Sequence, residues 1–297
     1  MQWIVSESEA GQKLVVFLRN KLGPGFSSRQ IKQGIENNLC QVNSRLEHFA
    51  SMVLAKGDVV LYVIESLKSP VKFRFQFSSK DIVYEDASLL IYNKPAGFVS
   101  DGPEITQAME SYSQGGWELL HRLDRETTGL LMFTRGTAFR EKMVYAFKMH
   151  AVKKTYFALV DGIPPQMSGT IENYLGKVHT YKGQALWGAV PSKIGHHAIT
   201  DWVIEQKGSQ VCLLRCYPQT GRTHQIRVHL SEMGYPILGD KQYGKKFKCS
   251  YLAPRCLLHA YALDFIHPLT GEKIFAKAEL PKDFTEALEL LVGRVAS

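Results

Sequence analysis

The sequence predicts an α+β fold in two parts. A small N-terminal unit holds two helices and short strands, and a larger domain is built on a mixed or antiparallel sheet. Three features of the chain predict this. Apolar residues recur at helical spacing in two early segments; short strand-like runs dominate from about residue 80; and the helical segments among those strands are scattered rather than alternating with them. Regular alternation would instead indicate a parallel α/β sheet.

In chain order, "GQKLVVFLRNKL" (11–22) carries Leu14, Val15, Phe17, Leu18 and Leu22 at helical spacing, and "GPGF" ends it. Ser27 or Ser28 caps a second helix, "SRQIKQGIENN". Short strands follow near "LCQVN" and "VVLYVI". These elements make a first domain of residues 1–66, near the lower size limit for independent folding. "ESLKSP" (65–70) reads as a linker, and "KFRFQFS" alternates as a strand does, so residues 67–79 hold linker and first strand. The second domain spans 80–297. Its strands include "LLIYNKP", "GLLMFTR", "KTYFALVDG", "TDWVIEQ", "VCLLRCYP", "LLHAYALDF" and "KIFAKAEL", with helices expected at about 137–149, 221–233 and 281–292. Residues 101–117, ending in Gly115-Gly116, read as a flexible loop.

The composition is that of a globular chain, with 45% hydrophobic and 22% charged residues. No apolar run reaches the roughly 20 residues of a membrane span. The first residues, "MQWIVSESEAGQK", lack the basic-then-apolar pattern of a signal peptide, so the cytoplasm is the expected compartment. There are 36 basic and 28 acidic side chains, a net charge of +8 that favours an anionic partner, nucleic acid above all. The five cysteines, Cys40, Cys212, Cys216, Cys249 and Cys256, are odd in number and do not suggest a disulfide framework. The spacings between Cys212 and Cys216 and between Cys249 and Cys256 are wider than the paired knuckles of structural zinc sites, so no metal is expected.

The chemistry-bearing segments are few. In "HRLDRETTGLL", Asp124 sits in a loop between Arg122 and Arg125, just before an apolar strand. This arrangement is either a salt-bridged turn or a sheltered carboxylate presented as nucleophile or base. Glu126 raises the possibility of a paired-carboxylate hydrolase, although two residues of extended chain separate such groups by roughly 7 Å. "TGRTHQIRVHLSEMGYPILGD" reads as a helix opened by Gly221 and closed by Gly234. Ile226, Leu230 and Met233 lie on its core face, with Arg222, His224, Arg227 and His229 around the rest. Those cations form either a solvated basic helix or a phosphate-recognising one. In "KKTYFALVDG", Lys153 and Lys154 lead into a strand on which Tyr156 either packs or stacks on an extruded base. Lys241, Lys245, Lys246 and Lys248 form a basic loop, solvated or phosphate-contacting.

Taken in order, "YNKPAGFVSD", "HRLDRETTGLL", "KKTYFALVDG", "TGRTHQIRVHL" with "PILGDKQYG", and "LLHAYALDFIHPLTGE" resemble the RluA-type family of RNA pseudouridine synthases over roughly residues 80–280. The N-terminal stretch "SSRQIKQGIENNLCQVNSR" through "KGDVVLYV" is similar to the S-four-type RNA-binding domain. The resemblance implies a pseudouridine synthase fold, no cofactor, and isomerisation of uridine to pseudouridine. It assigns Asp124 as the catalytic carboxylate, Tyr156 as the residue that stacks on the uracil and assists proton removal, and Arg227 as the partner of Asp124. It further implies that Arg122 fills the gap left by the flipped base, with Arg222, His121 and Lys154 binding substrate. The expected partner is RNA, large-subunit ribosomal RNA ahead of transfer RNA, with the protein acting as a monomer and without a membrane. Two positions depart from the family pattern: Thr128 where serine is usual, and Asp101 where histidine is frequent. The alternatives are an idle RNA-binding or ribosome-assembly factor on the same fold, and a hydrolase using Asp124 with Glu126.

Overall fold

The computed structural model describes residues 1–36, 39–47, 49–63, 75, 77–112, 115–181, 184–244 and 247–293. The chain divides into two compact units, Met1–Arg74 with Leu252–Arg255, and Phe75–Tyr251 with Cys256–Ser297. The linker expected over 65–70 lies outside the described residues, as does most of the strand expected over 72–78.

In the first unit, α1 (Leu14–Leu22) and α2 (Ser28–Glu36) accompany a four-stranded antiparallel sheet. Its strands are β1 (Gln2–Ile4), β2 (Cys40–Val42), β3 (Arg45–Leu46) and β4 (Val59–Tyr62), in the order β1-β4-β2-β3. Helix α1 starts at Leu14, the first apolar position of its periodicity, directly after Lys13, whose backbone pairs with Val53 in a β-bridge. Ser27 rather than Ser28 caps α2. Its hydroxyl accepts from Gln30 N (3.2 Å) while Gln30 Oε1 accepts from Ser27 N (2.9 Å), a reciprocal capping box. Ile31 and Ile35, one turn apart, are buried with Leu14, Phe17 and Leu18 in the core of this unit.

The second unit is built on an eleven-stranded sheet. Its elements are β5 (Ile82–Glu85), β6 (Leu89–Lys94), α3 (Pro103–Ser111), β7 (Trp117–Leu119), β8 (Thr128–Arg135), α4 (Thr137–Lys148), β9 (Lys153–Asp161), β10 (Ser168–Tyr181), β11 (Gln184–Ala189), β12 (His196–Lys207), β13 (Val211–Pro218), α5 (Gln225–Glu232), β14 (Leu258–Ile266), β15 (Lys273–Lys277) and α6 (Lys282–Leu291). The main path runs β11-β10-β12-β13-β9-β14-β8-β6-β5, with β15 on β14 and β7 on β8. Neighbours are antiparallel except β14 and β8, which meet in parallel, so the sheet is mixed. Strands β6 and β8 are apolar on both faces because both faces are covered. Leu89, Ile91, Leu130 and Met132 pack with Phe139 and Met143 of α4, whereas Leu90, Tyr92, Leu131 and Phe133 pack with Ile105 and Met109 of α3.

Two expectations change. Residues 101–117 are not one open loop, since Pro103 takes the first helical position of α3 and Ile105 and Met109 bury its inner face. Helix α5 begins at Gln225, not Gly221, because residues 221–224 are folded back onto the buried Gln225 side chain. Gln225 Oε1 accepts from Thr220 Oγ1 (2.7 Å) and Arg222 N (3.0 Å), and its Nε2 donates to Ile199 O and Thr200 Oγ1 (both 2.9 Å).

One row of residues across the sheet positions the site. Cys216 of β13, Tyr156 of β9, Ala260 of β14, Gly129 of β8 and Lys94 of β6 are successive cross-strand partners. Gly129 has φ +105°, and a Cβ there would lie 2.2 Å from Ala260 O. Only glycine allows β14 to approach β8 this closely.

Candidate active site

The row just described ends beside the turn that carries Asp124. That turn is held on both sides. Ser100 Oγ donates to Leu123 O (2.8 Å) and accepts from Leu123 N (2.9 Å). On the other side, the buried Lys94 ammonium donates to Pro95 O (2.9 Å), Phe98 O (3.1 Å) and Arg125 O (3.2 Å). Thr127 N closes the turn onto Asp124 O at 3.1 Å. "YNKPAGFVSD" thus brackets the aspartate, with Lys94 and Ser100 as its working residues. Sequence reading used that motif for recognition but assigned no role to either residue.

Asp124, Tyr156, Arg227, Arg122, Arg222 and Lys154 all line one open pocket. Arg227 Nη1 donates to Asp124 Oδ2 at 3.0 Å. The arginines adjacent in sequence do not take that role. Arg122 pairs instead with Asp101 at 3.2 Å at the exposed mouth, and Arg125 lends its carbonyl to Lys94. Glu126 accepts from Cys256 N at 3.0 Å and does not line the pocket, so the structure forms no facing carboxylate pair from Asp124 and Glu126. His121 does not line it either. Its Nε2 accepts from Met132 N at 3.2 Å, its ring packs on Phe147, and burial with nearby Lys154 lowers its pKa to about 4.

Arg227 is anchored from behind by a residue that sequence reading passed over. Its Nε and Nη2 form a fork onto Asp240 (2.7 and 3.0 Å), and Nη2 also reaches Gln242 Oε1 at 3.1 Å. Burial opposes the guanidinium charge, but Asp240 and Asp124 outweigh it and hold the pKa of Arg227 above its ordinary value. For Asp240 burial likewise opposes charge, and Arg227 together with the Gln242 and Tyr243 N–H groups overcomes it, keeping the carboxyl below the usual range. The signal for this pairing was present: Asp240 lies in the quoted "PILGD", a lone acid in a basic stretch.

Lys154 Nζ donates to Thr220 O at 3.1 Å; burial and the neighbouring Arg222 lower its pKa to about 8. Arg222 Nε is tied to His197 O at 2.9 Å. Burial and Asp124 both push the Tyr156 phenol pKa up, so its hydroxyl is neutral at physiological pH. His224, named in the sequence only among the helix cations, lines the pocket from a left-handed backbone (φ +56°) just before α5. The α5 cations are therefore not a solvated basic helix. His229 is fully buried, bonded to Thr200 Oγ1 (2.9 Å) and Asn173 Oδ1 (3.0 Å).

Among the described residues no three His, Cys, Asp or Glu side chains are grouped to hold a metal ion. The five cysteines are buried and in no disulfide, and burial pushes Cys212 up to about 12, keeping it a neutral thiol. Of the basic loop, Lys245 and Lys246 lie outside the described residues, and the Lys248 backbone is anchored by N–H donation to Asp161 Oδ2 at 2.6 Å. Among the described residues no helix is long and apolar enough to cross a membrane.

The RNA pseudouridylate synthase family model matches residues 88–232. The chain is 31% identical to an uncharacterized RNA pseudouridine synthase of Synechocystis sp. over 98% of its own length and 92% of that protein. It is 36% identical to the ribosomal large subunit pseudouridine synthase C of Buchnera aphidicola, covering 71% of this chain and 70% of the relative. Among solved structures, human RNA pseudouridylate synthase domain containing 4 superposes with a TM-score of 0.60 at 24% identity, over 71% of this chain and 92% of that one, a likeness of fold.

Proposed function

The chain belongs to the RNA pseudouridylate synthase family, and from that premise we propose that it converts specific uridines of large-subunit ribosomal RNA to pseudouridine with Asp124 as the catalytic carboxylate. It is an isomerase of RNA. The finer reading rests on one observation above all: Asp124, Tyr156 and Arg227, from three separate segments of the chain, line one pocket, with Asp124 Oδ2 held by Arg227 Nη1.

The reaction breaks the bond from ribose C1′ to uracil N1, turns the base, and forms a bond from C1′ to C5. C5 loses a proton and N1 gains one, so the product is an isomer and needs no redox partner. An ionised carboxylate beside the glycosidic bond has three steps open to it: attack on the sugar, attack on the base, or removal of a sugar proton. Each needs one carboxylate oxygen free of strong donors and the other fixed, which is how Arg227 leaves Asp124. The uridine reaches such a site by extrusion from the folded RNA, which calls for an aromatic surface and a side chain to fill the gap. Tyr156 supplies the surface as a neutral phenol. Its ionisation is opposed, so stacking and hydrogen bonding, rather than service as a resting base, are its contribution. Arg122, long, exposed and at the mouth, suits the gap. Arg222 and Lys154 give the rim its positive charge for phosphates.

The choice of large-subunit ribosomal RNA is supported by the names of relatives such as the Buchnera enzyme. In the reading proposed here, the first unit is an S-four-like RNA-binding domain over residues 1–66 and the catalytic domain spans 80–297. Exposed Arg19, Arg29 and Lys32 on α1 and α2 suit a phosphate-contacting surface, and a tethered second contact raises the effective concentration of the first.

The test is tritium release from RNA carrying 5-tritiated uridine, since a new bond at C5 expels the label. Large-subunit, small-subunit and transfer RNA are assayed separately. Release is expected from large-subunit RNA, with a loss of at least about 10³-fold in Asp124→Asn and unchanged RNA binding. Release from transfer RNA alone would overturn the substrate, and turnover retained in Asp124→Asn would overturn the role of the carboxylate. Tight binding with no release from any RNA would move the reading to an idle binding factor.

A further inference from the structure

The free oxygen of Asp124 is not facing solvent alone. Its Oδ1 lies 3.8 Å from His224 Nε2, whereas Arg227 holds Oδ2. Behind the imidazole, Tyr243 Oη lies 2.7 Å from His224 Nδ1, and Tyr243 Oη in turn accepts from Trp187 N at 3.2 Å. We propose that Tyr243 and His224 form a positioning relay in which neutral His224, protonated on Nε2, orients Asp124 Oδ1 for reaction. This inference rests on the reading of Asp124 as the catalytic carboxylate.

Both ends of the ring favour the same tautomer. At Nδ1, the Tyr243 hydroxyl accepts from the Trp187 N–H and keeps its own proton to donate; given to the imidazole 2.7 Å away, that proton makes Nδ1 the acceptor. At Nε2, a bare lone pair would confront the carboxylate oxygen, so the proton belongs there. Burial and Arg227 lower the imidazole pKa to about 4 although Asp124 and Asp240 pull the other way, so the ring carries no charge near neutrality. A neutral donor suits the task. A second full cation on Asp124 would saturate it as Asp240 is saturated and blunt it as nucleophile or base.

The present separation is longer than a hydrogen bond. Catalytic donor contacts often reach hydrogen-bond length only in the reacting complex. The left-handed backbone of His224 is uncommon for a residue with a side chain, although histidine is enriched there, and it persists only where its surroundings demand it. Tyr243 is itself fixed, because its ring lies under the Arg227 guanidinium at 5.0 Å and its N–H donates to Asp240 Oδ1 at 3.1 Å. The relay thus shares its frame with the Asp240–Arg227–Asp124 chain but reaches the opposite oxygen.

The test compares Tyr243→Phe, His224→Leu and His224→Gln with Asp124→Asn under single-turnover conditions on tritiated large-subunit ribosomal RNA. Tyr243→Phe keeps the ring under Arg227 and removes only the hydroxyl. His224→Gln restores a donor near Nε2, and both His224 substitutions bear the same backbone demand, so their difference isolates the donor. Expected are a loss of about tenfold for Tyr243→Phe and roughly thirtyfold for His224→Leu, with Gln recovering most of it and RNA Kd unchanged throughout. Nitrogen-15 chemical shifts of His224 should show the Nε2–H form in the wild type and a tautomer mixture in Tyr243→Phe. Wild-type rates in Tyr243→Phe and His224→Leu while Asp124→Asn is inactive would overturn the relay alone. Full turnover in Asp124→Asn would overturn the reading beneath it. An Nδ1–H tautomer in the wild type would overturn the relay whatever the rates.

Discussion

Arg227 holds two carboxylates, and they differ in every other respect. The Asp240 side chain has no exposed surface and accepts from Arg227 Nε and Nη2, Gln242 N and Tyr243 N. The Asp124 side chain is 25% exposed, and Arg227 Nη1 is the hydrogen-bond donor described on it. The same arginine therefore serves as a structural counterion at one end and as an orienting group at the other. A carboxylate saturated with donors is a poor base and nucleophile, because reacting means giving those bonds up. A carboxylate held on one oxygen keeps the other for chemistry. The difference between anchor and reactant is thus one of hydrogen-bond saturation, not residue type.

Substitution at the two ends should separate them. Asp124→Asn is expected to abolish turnover yet shift unfolding free energy by less than about 1 kcal/mol, since a part-exposed amide can still accept from Arg227. A thermal or urea denaturation series checks it, and a large loss of stability would show that Asp124 is also an anchor. Asp240→Asn is expected to cost about 3 kcal/mol of stability, because it breaks a buried pair and strands part of a buried guanidinium. It should also lower turnover roughly a hundredfold through the displaced Arg227. Normal activity in that variant would show that Asp124 does not depend on the fork.

The histidines offer a smaller test. His224 faces the open carboxylate and His229 is sealed, yet burial lowers both pKa values to about 4. An unfolded histidine takes up its proton near 6.5, so the unfolded chain binds more protons between these values. Stability from His229 is then fully present above about pH 6.5 and lost as pH falls toward about 4, by on the order of 2 kcal/mol. Urea midpoints at pH 7 and 4.5 measure it, and His229→Gln should flatten that limb. The smallest effect is expected for Asp101→Asn, which removes an exposed partner from Arg122 and should change stability by less than about 0.5 kcal/mol. A larger shift in the denaturation curve would mean that the mouth is part of the frame.

Legibility in the sequence followed local signals. Helices α4 and α6 fall where expected because their apolar spacing is read within a few residues. Strands β6, β8 and β9 do so because continuous apolar runs flank their turn residues. Helix α3 was hidden because Gly102 and Pro103 look like loop residues, although proline is at home in the first turn of a helix. The pairing of β10 with β11 was hidden because "KVHT" (177–180) is exposed and shows no alternation against a core. In the candidate site, Asp124 drew notice through its charged neighbours, but those neighbours turned elsewhere.

The sequence by itself determined the fold class, the family and the order of its motifs, because these are written in patterns spanning a few to a few tens of residues. Only the tertiary structure decided which arginine meets Asp124, that Asp240 seals that arginine, and that His224 faces the remaining oxygen. The Arg227–Asp124 contact joins residues 103 apart in the chain. Such a contact depends on strand register, here set by the close approach of Gly129 to Ala260, and on a turn clamped by Lys94 and Ser100. No local pattern specifies which of several nearby cations a carboxylate will find, because the choice is made by geometry that exists only after the sheet has closed.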